Sequence, residues 1–290
     1  MSRALPSAYS IRGQGGFRLD IALVEIDRLH LHEETLPEML EALVRRIDGD
    51  GVLKAPVIVD RDTFVVLDGM HRVKALRSLD CRFICACLVD YMDPGIKVET
   101  WCRVVPRPFD LQKAVEIADE LSIELAPRHV GDALDRGHVG LMMFRESTYE
   151  LVTPDPSLLS AFDSVRRFEL QLRARGFEVG YDTCRDAREK LSRGAVDAIL
   201  RPPTLGKEQV VDVARRGRVF TFKATRHIVP ARPVGVDVPL KLLREPSLTV
   251  EEVNERLSNL LAMKRLARLP AGSLWSGRRY DEDLYVFVGN

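Results

Sequence analysis

No stretch of the 290-residue chain supplies the roughly 18 consecutive apolar residues that a membrane-spanning helix needs, and residues 1–16 lack the apolar centre of a signal peptide. A cytoplasmic protein is expected. Net charge is also missing: 43 Lys and Arg stand against 43 Asp and Glu, so no global field draws DNA, RNA or anionic lipid to the surface. The five cysteines, Cys81, Cys85, Cys87, Cys102 and Cys184, are odd in number and imply no disulfide scaffold. Cys85-x-Cys87 has no second pair to complete a zinc site and reads as two small apolar residues in a strand. His30-Leu31-His32 lacks a third ligand at fixed spacing. Gly13-x-Gly15-Gly16 is followed neither by Gly-Lys-Ser/Thr nor by a helix, so residues 1–16 read as a flexible lead-in. No internal repeat or low-complexity segment is present.

What the chain does have is a 46% apolar composition and the length for one large or two ordinary domains. Alternating patterns predict strands over 21–26, 56–59, 63–67 and 83–91, with a helix over 36–47 whose Met39, Leu40, Leu43, Val44 and Ile47 share one side. An apolar-rich segment over 98–105 leads to Pro106-Arg107-Pro108, a plausible domain boundary. Beyond it come helices over 109–121, 156–175, 187–193 and 207–216, a hairpin over 139–144 and 148–152, and strands over 177–181 and 195–200. The fold class is therefore α/β (α+β): a domain over 17–107, a mixed α/β domain over 108–246 and an extension over 247–290. Thr249-Val250-Glu251-Glu252 is a capping box opening an amphipathic helix, and 284–288 reads as a closing strand. The extension carries no recognisable chemistry and suggests packing or an oligomer contact.

The most informative stretch is Val65-Val66-Leu67-Asp68-Gly69-Met70-His71-Arg72, a β-branched strand that turns at Asp-Gly into a short helix. A helix start of this kind aims backbone N–H groups, the positive dipole end and the Arg72 guanidinium at an anion. Asp68 would repel a phosphate unless Mg²⁺ lay between them, and one carboxylate plus a nucleotide suffices to hold that ion. The plainer reading, with Asp68 as a helix cap and His71 and Arg72 on the surface, stands beside it.

Thr225-Arg226-His227 combines a hydroxyl, a bidentate fork and a switchable imidazole between apolar segments, a set suited to a phosphate or carboxylate, or else a basic turn. It follows Val219-Phe220-Thr221-Phe222, which reads as a strand. Glu33 and Glu34 precede a helix, where the dipole alone accounts for carboxylates. Trp101 suits a core or a pocket wall.

Taken together, His32-Glu33, Leu67-Asp68-Gly69-x-His71-Arg72, Asp90-Tyr91, Val98-x-Thr100-Trp101, Arg216-Gly217-x-Val219-Phe220 and Thr225-Arg226-His227 resemble, in order and spacing over residues 17–245, the free serine kinases of the ParB/sulfiredoxin superfamily. The resemblance implies a ParB/sulfiredoxin-like nucleotide-binding domain at the N-terminus and an active site in the cleft between it and the next domain. It also implies phosphoryl transfer from ADP or ATP, with Mg²⁺, to free L-serine, giving O-phospho-L-serine for a biosynthetic pathway. Carried over, Glu33 and Asp68 are catalytic, with Asp68 also at the metal. Gly69, Met70, His71 and Arg72 face the nucleotide phosphates, and Trp101, Thr225, Arg226 and His227 shape the substrate pocket. The family reads Asp-Gly-His-His-Arg, so Met70 is a departure. Sulfiredoxins place a reactive Cys where Met70 stands, and a thioether cannot replace it. The alternative is a ParB-like, nucleotide-responsive DNA-binding regulator, which relies on a helix-turn-helix that the alternating pattern after Pro108 does not suggest. Donor, acceptor and oligomeric state stay open: ADP and ATP present the same terminal phosphate, and threonine adds one methyl, worth only ~1–3 kcal/mol of discrimination.

Overall fold

In a computed structural model, which describes residues 7–128 and 139–289, the chain forms two units. The first runs through Lys97, takes in Lys207–Val219 and resumes at His227, and the second holds Val98–Gly206 and Phe220–Arg226. This division does not follow Pro106-Arg107-Pro108, because the strand Cys102–Val105 just before those prolines is paired on both sides within the second unit.

The first unit is built on a five-stranded sheet in the order Tyr9–Arg12, Arg18–Glu25, Phe83–Val89, Val57–Asp60, Val66–Asp68. Val57–Asp60 and Phe83–Val89 run parallel and are buried at every position, which explains their near-continuous apolar runs. Cys85 and Cys87 lie there as apolar residues. The expectation of a flexible lead-in is corrected for residues 9–16. Tyr9–Arg12 pairs antiparallel with Arg18–Glu25, the Gly13 N–H donates to Phe17 O at 2.7 Å, and Gly15 and Gly16 take the left-handed backbone that the tight turn requires. Residues 1–6 of that segment lie outside the described residues.

The C-terminal segment packs against the same unit. Its helix Val250–Ala262 opens with the Thr249/Glu252 capping box and lies on the strand Arg18–Glu25. There the buried Asn254 accepts from Leu23 N and donates to Leu23 O, each at 2.8 Å. The chain continues as Lys264–Leu269 and then Asp283–Gly289, which pairs antiparallel with the former and parallel with Ala231–Val234. This second sheet carries Arg232, which reaches Asp68.

The second unit is an antiparallel six-stranded sheet in the order Gly180–Asp182, Cys102–Val105, Ala198–Arg201, Gly140–Met143, Thr148–Val152, Glu124–Arg128. The helices Leu111–Glu120 and Leu158–Ala174 share a core with it that includes Phe109, Ile117, Met142, Val165 and Phe168. The helix Cys184–Ser192 packs through Ala187 and Leu191 against Cys102, Val104 and Ile199. The expected strand over Val219-Phe220-Thr221-Phe222 is instead a turn region, with Lys223 at φ 60°. Phe220 is fully buried against Phe162, with ring centroids 5.0 Å apart. Among the described residues no helix is long and apolar enough to cross a membrane.

Asn254→Ala strands the buried Leu23 N–H and C=O and is expected to cost about 1–3 kcal/mol, lowering the melting temperature by several degrees. An unchanged melting temperature would show that the C-terminal helix is dispensable to the first sheet.

Candidate functional site

The strand Val66–Asp68 turns at Gly69, which has φ +107° and precedes the helix Met70–Ser78. A Cβ at Gly69 would sit 2.6 Å from Val57 Cγ1 and 2.8 Å from Arg72 Nη2, so both backbone and space demand glycine. The helix has no side-chain cap and no acidic residue in its first turn, leaving its opening amides and positive dipole end for an anion. Asp68 is not the cap. Its Oδ2 accepts from Arg232 Nη1 at 2.6 Å and pairs with Arg72 Nη2 at 3.3 Å. Burial alone would raise the Asp68 pKa, but Arg72 and Arg232 outweigh it and hold the carboxyl well below its usual range. Arg232 is itself held by Glu282 through Nε. Arg72 Nη1 donates to Ala55 O and Pro56 O at 3.0 and 2.6 Å, so much of this guanidinium is occupied in bracing the turn from behind.

Glu33 is buried, and anchors on both sides fix its segment. His30 N donates to Phe64 O, and Val66 N to His30 O at 2.9 Å, which sets this chain parallel to Val66–Asp68. His32 hydrogen-bonds the Val66 backbone, and the Leu36 N–H donates to His71 Nε2 at 3.2 Å. Glu33 is therefore bracketed by contacts to the strand and helix that flank Asp68. His71, expected at the phosphates, uses Nε2 to hold this segment. Met70, half-buried, is the first helical residue.

The rings of His32 and His227 meet edge to face at 5.2 Å, and His227 Nε2 lies 2.8 Å from the Tyr91 hydroxyl. Tyr91 is placed by Asp60, whose Oδ1 accepts from Tyr91 N at 3.1 Å. Burial lowers the His32 pKa to about 4 against the raising effect of its Val66 contact. It also holds His227 well below 6.5, with His32 adding to the effect and Asp68 opposing it. Both imidazoles are neutral at pH 7.

Trp101, Thr225 and Arg226 belong to the second unit, while His227 belongs to the first. Arg226 pairs with Glu99 Oε2 at 3.0 Å, and its guanidinium lies 5.5 Å from the Trp101 ring centroid, with Lys223 Nζ at 4.7 Å from the same ring. Thr225 is buried. The segment is organised by Arg103, which donates to Trp101 O, Lys223 O and Phe222 O at 2.9, 3.2 and 3.0 Å. Arg103 also pairs, wholly buried, with Glu169 at 3.0 Å. That pair, together with Arg232, Glu282 and Tyr91, was not assigned from sequence. Arg232 meets Asp68 across 164 positions, and no local pattern announces such a contact.

Among the described residues no three His, Cys, Asp or Glu side chains converge as a metal site. Asp68 can offer a cation a carboxylate whose two ion pairs both use Oδ2. A magnesium ion held by one carboxylate, water and nucleotide phosphates fits that donor set.

No family model matches the chain. It is 25% identical over 233 residues to an ADP-dependent L-serine kinase from Thermococcus kodakarensis, covering 78% of this chain and 94% of the relative. It is 28% identical over 236 residues to an ATP-dependent L-serine kinase from Staphylothermus marinus, covering 77% and 90%. A solved free serine kinase in complex with AMP superposes with a TM-score of 0.67 at 26% identity, covering 78% of this chain and 94% of that one.

The two neutral histidines carry a stability consequence. Folded His32 stays neutral down to about pH 4, whereas the unfolded imidazole takes a proton below about 6.5. Stability is therefore full above pH 6.5 and falls by roughly 3 kcal/mol towards pH 4, with His227 acting in the same direction. Denaturant titrations across this range are expected to show the decline, and His32→Gln to flatten it. A wild-type midpoint that stays constant from pH 7 to pH 4.5 would contradict the assignment.

Proposed function

We propose that this protein is a free serine kinase that moves the terminal phosphoryl group of ADP or ATP onto the hydroxyl of L-serine, releasing O-phospho-L-serine. The observation that carries the reading is the bracketing of buried Glu33 beside the Asp68–Gly69 turn and its uncapped helix, in a chain that matches L-serine kinases over most of their length.

The serine oxygen attacks the terminal phosphorus as the bond to the departing nucleotide oxygen breaks, and Glu33 accepts the hydroxyl proton. The opening amides of Met70–Ser78 take the phosphates, and Gly69, with no Cβ, lets the turn that presents them close against Val57 and Arg72. His71 keeps the Glu33 segment in register with that helix, and Arg72 keeps the turn in shape. Mg²⁺, held by Asp68, supplies charge neutralisation at the phosphates when bound. Asp68 remains ionised for this role at any physiological pH because Arg72 and Arg232 flank it. Trp101, Thr225 and Arg226 recognise the amino acid, with the Arg226 fork suited to its carboxylate, and His227 completes the set as a neutral imidazole. The Met70 side chain offers the phosphates no hydrogen-bond donor where the resembled family has His. A cytoplasmic location accords with nucleotide and free amino acid as the proposed substrates. A DNA-binding role is the weaker reading, since the chain after Pro108 forms an antiparallel sheet with flanking helices and its formal charge is zero.

Glu33→Gln removes the proton acceptor and is expected to lower kcat by about 10²- to 10⁴-fold while nucleotide affinity, read by calorimetry, stays unchanged. Wild-type turnover in that variant would dismiss Glu33 as the base. Arg226→Ala is expected to raise KM for serine at least tenfold, a loss of about 1.4 kcal/mol or more. An unchanged KM would exclude the segment from substrate binding.

A further inference from the structure

Cys102 and Cys184 take no part in the proposed reaction, yet their Sγ atoms lie 2.7 Å apart. That is far closer than two thiols need to be merely to pack, and a covalent S–S bond is about 2.05 Å. The approach is fixed by backbone geometry. Cys102 stands opposite Asp182 in the antiparallel ladder, and two residues later Cys184 begins the helix Cys184–Ser192, capped by Thr183 Oγ1, which accepts from Asp186 N at 3.1 Å. Lys190 from that helix pairs with Asp182 at 2.7 Å and ties the helix to the strand. Cys102 is buried and Cys184 half-buried, so one thiol is within reach of solvent and the other waits behind it.

We propose that Cys102 and Cys184 form a reversible dithiol–disulfide site whose oxidant is a small hydroperoxide such as hydrogen peroxide. The chemistry is asymmetric. The Cys102 thiol stabilises the Cys184 thiolate and, against the cost of burial, Arg201, the Thr100 hydroxyl and Arg188 add to this, so the Cys184 pKa is drawn down while that of Cys102 is pushed up. The Cys184 thiolate attacks one peroxide oxygen, the O–O bond breaks, and hydroxide leaves and takes up a proton as water. The resulting sulfenic acid is attacked by Cys102 Sγ, which gives up its proton as the S–O bond breaks and a second water departs. Two sulfurs are each oxidised by one electron and the peroxide is reduced by two. The bond would join residues 82 positions apart and staple the helix to the strand that follows Trp101. Cys85 and Cys87 are internal controls: both are buried in the first sheet, and burial raises their thiol pKa values well above the usual range.

Thiol oxidation at this pair is independent of the proposed phosphoryl transfer, and its test needs no substrate. The reduced full-length protein is exposed to a small excess of hydrogen peroxide, alkylated with N-ethylmaleimide in denaturant, and digested without reductant for mass spectrometry. The expected result is a Cys102–Cys184 cross-linked peptide that dithiothreitol abolishes, a loss of two of the five titratable thiols, and alkylated Cys81, Cys85 and Cys87. Cys184→Ser is expected to keep all its remaining thiols through the same exposure. Cys102→Ser is expected to carry Cys184 on to sulfinic acid, for want of a resolving partner. Recovery of both cysteines alkylated, or of sulfinic Cys184 beside alkylated Cys102 in the wild type, would overturn the proposal. A cross-link to any other cysteine would do so too.

Discussion

The charge knot at Asp68 is the constraint on which the rest of the first unit's chemistry depends. Two guanidiniums, Arg72 from the following helix and Arg232 from the strand Ala231–Val234, meet one carboxylate, and Glu282 holds Arg232 from its other side. Removing a partner from such a cluster leaves a partly buried charge uncompensated, which costs more than the pair contributes when intact. The knot also explains why the C-terminal strands belong with this unit. Asp283–Gly289 pairs in register with Ala231–Val234, placing Leu284 beside Arg232 and Glu282 within reach. The extension therefore does structural work for the Asp68 turn, although it carries no reactive motif of its own.

A second line of contacts joins the strand Val57–Asp60 to the two histidines. Asp60 fixes Tyr91, Tyr91 meets His227, and His227 packs on His32. Because both imidazoles are held neutral, this line adds no positive charge beside the segment that carries Glu33, the base in the proposed reaction. Phosphoryl transfer asks little covalent chemistry of a protein and much positioning. Here most of the side chains around the site position others: Arg72 braces the turn, His71 holds Leu36, Arg103 holds the Phe222–Lys223 backbone. Few remain to touch substrate directly, and that division is what the proposed phosphoryl transfer requires.

The local features were legible in the sequence because their causes are local. The Asp-Gly turn, the helix after it, the capping box at Thr249 and the hairpin over 140–152 each follow from a few neighbouring residues, and the structure has them all. The N-terminal hairpin was missed because Tyr9–Arg12 is short and its glycines look the same in a tight turn as in a loose tail. The Val219-Phe220-Thr221-Phe222 run departs from a strand for a different reason: Phe220 is buried on Phe162 and Phe222 on Tyr181 by tertiary packing, while Val219 is exposed. Arg72 and His71 were legible as polar groups beside an anion site, but their hydrogen bonds to Ala55, Pro56 and Leu36 depend on chain returning from elsewhere. Arg232, Glu282 and the Arg103–Glu169 pair were illegible because charged residues are common and only the fold selects partners so far apart.

Central to the proposed function is a phosphoryl group delivered at the Asp68 turn to an amino-acid hydroxyl. Its most direct test is product identification by mass spectrometry after incubating the purified protein with Mg²⁺, free L-serine, and ADP or ATP in turn. The expected result is O-phospho-L-serine formed mole for mole with the nucleotide that has lost its terminal phosphate. Nucleotide left intact with both donors, or hydrolysed to inorganic phosphate with serine unmodified, would contradict it.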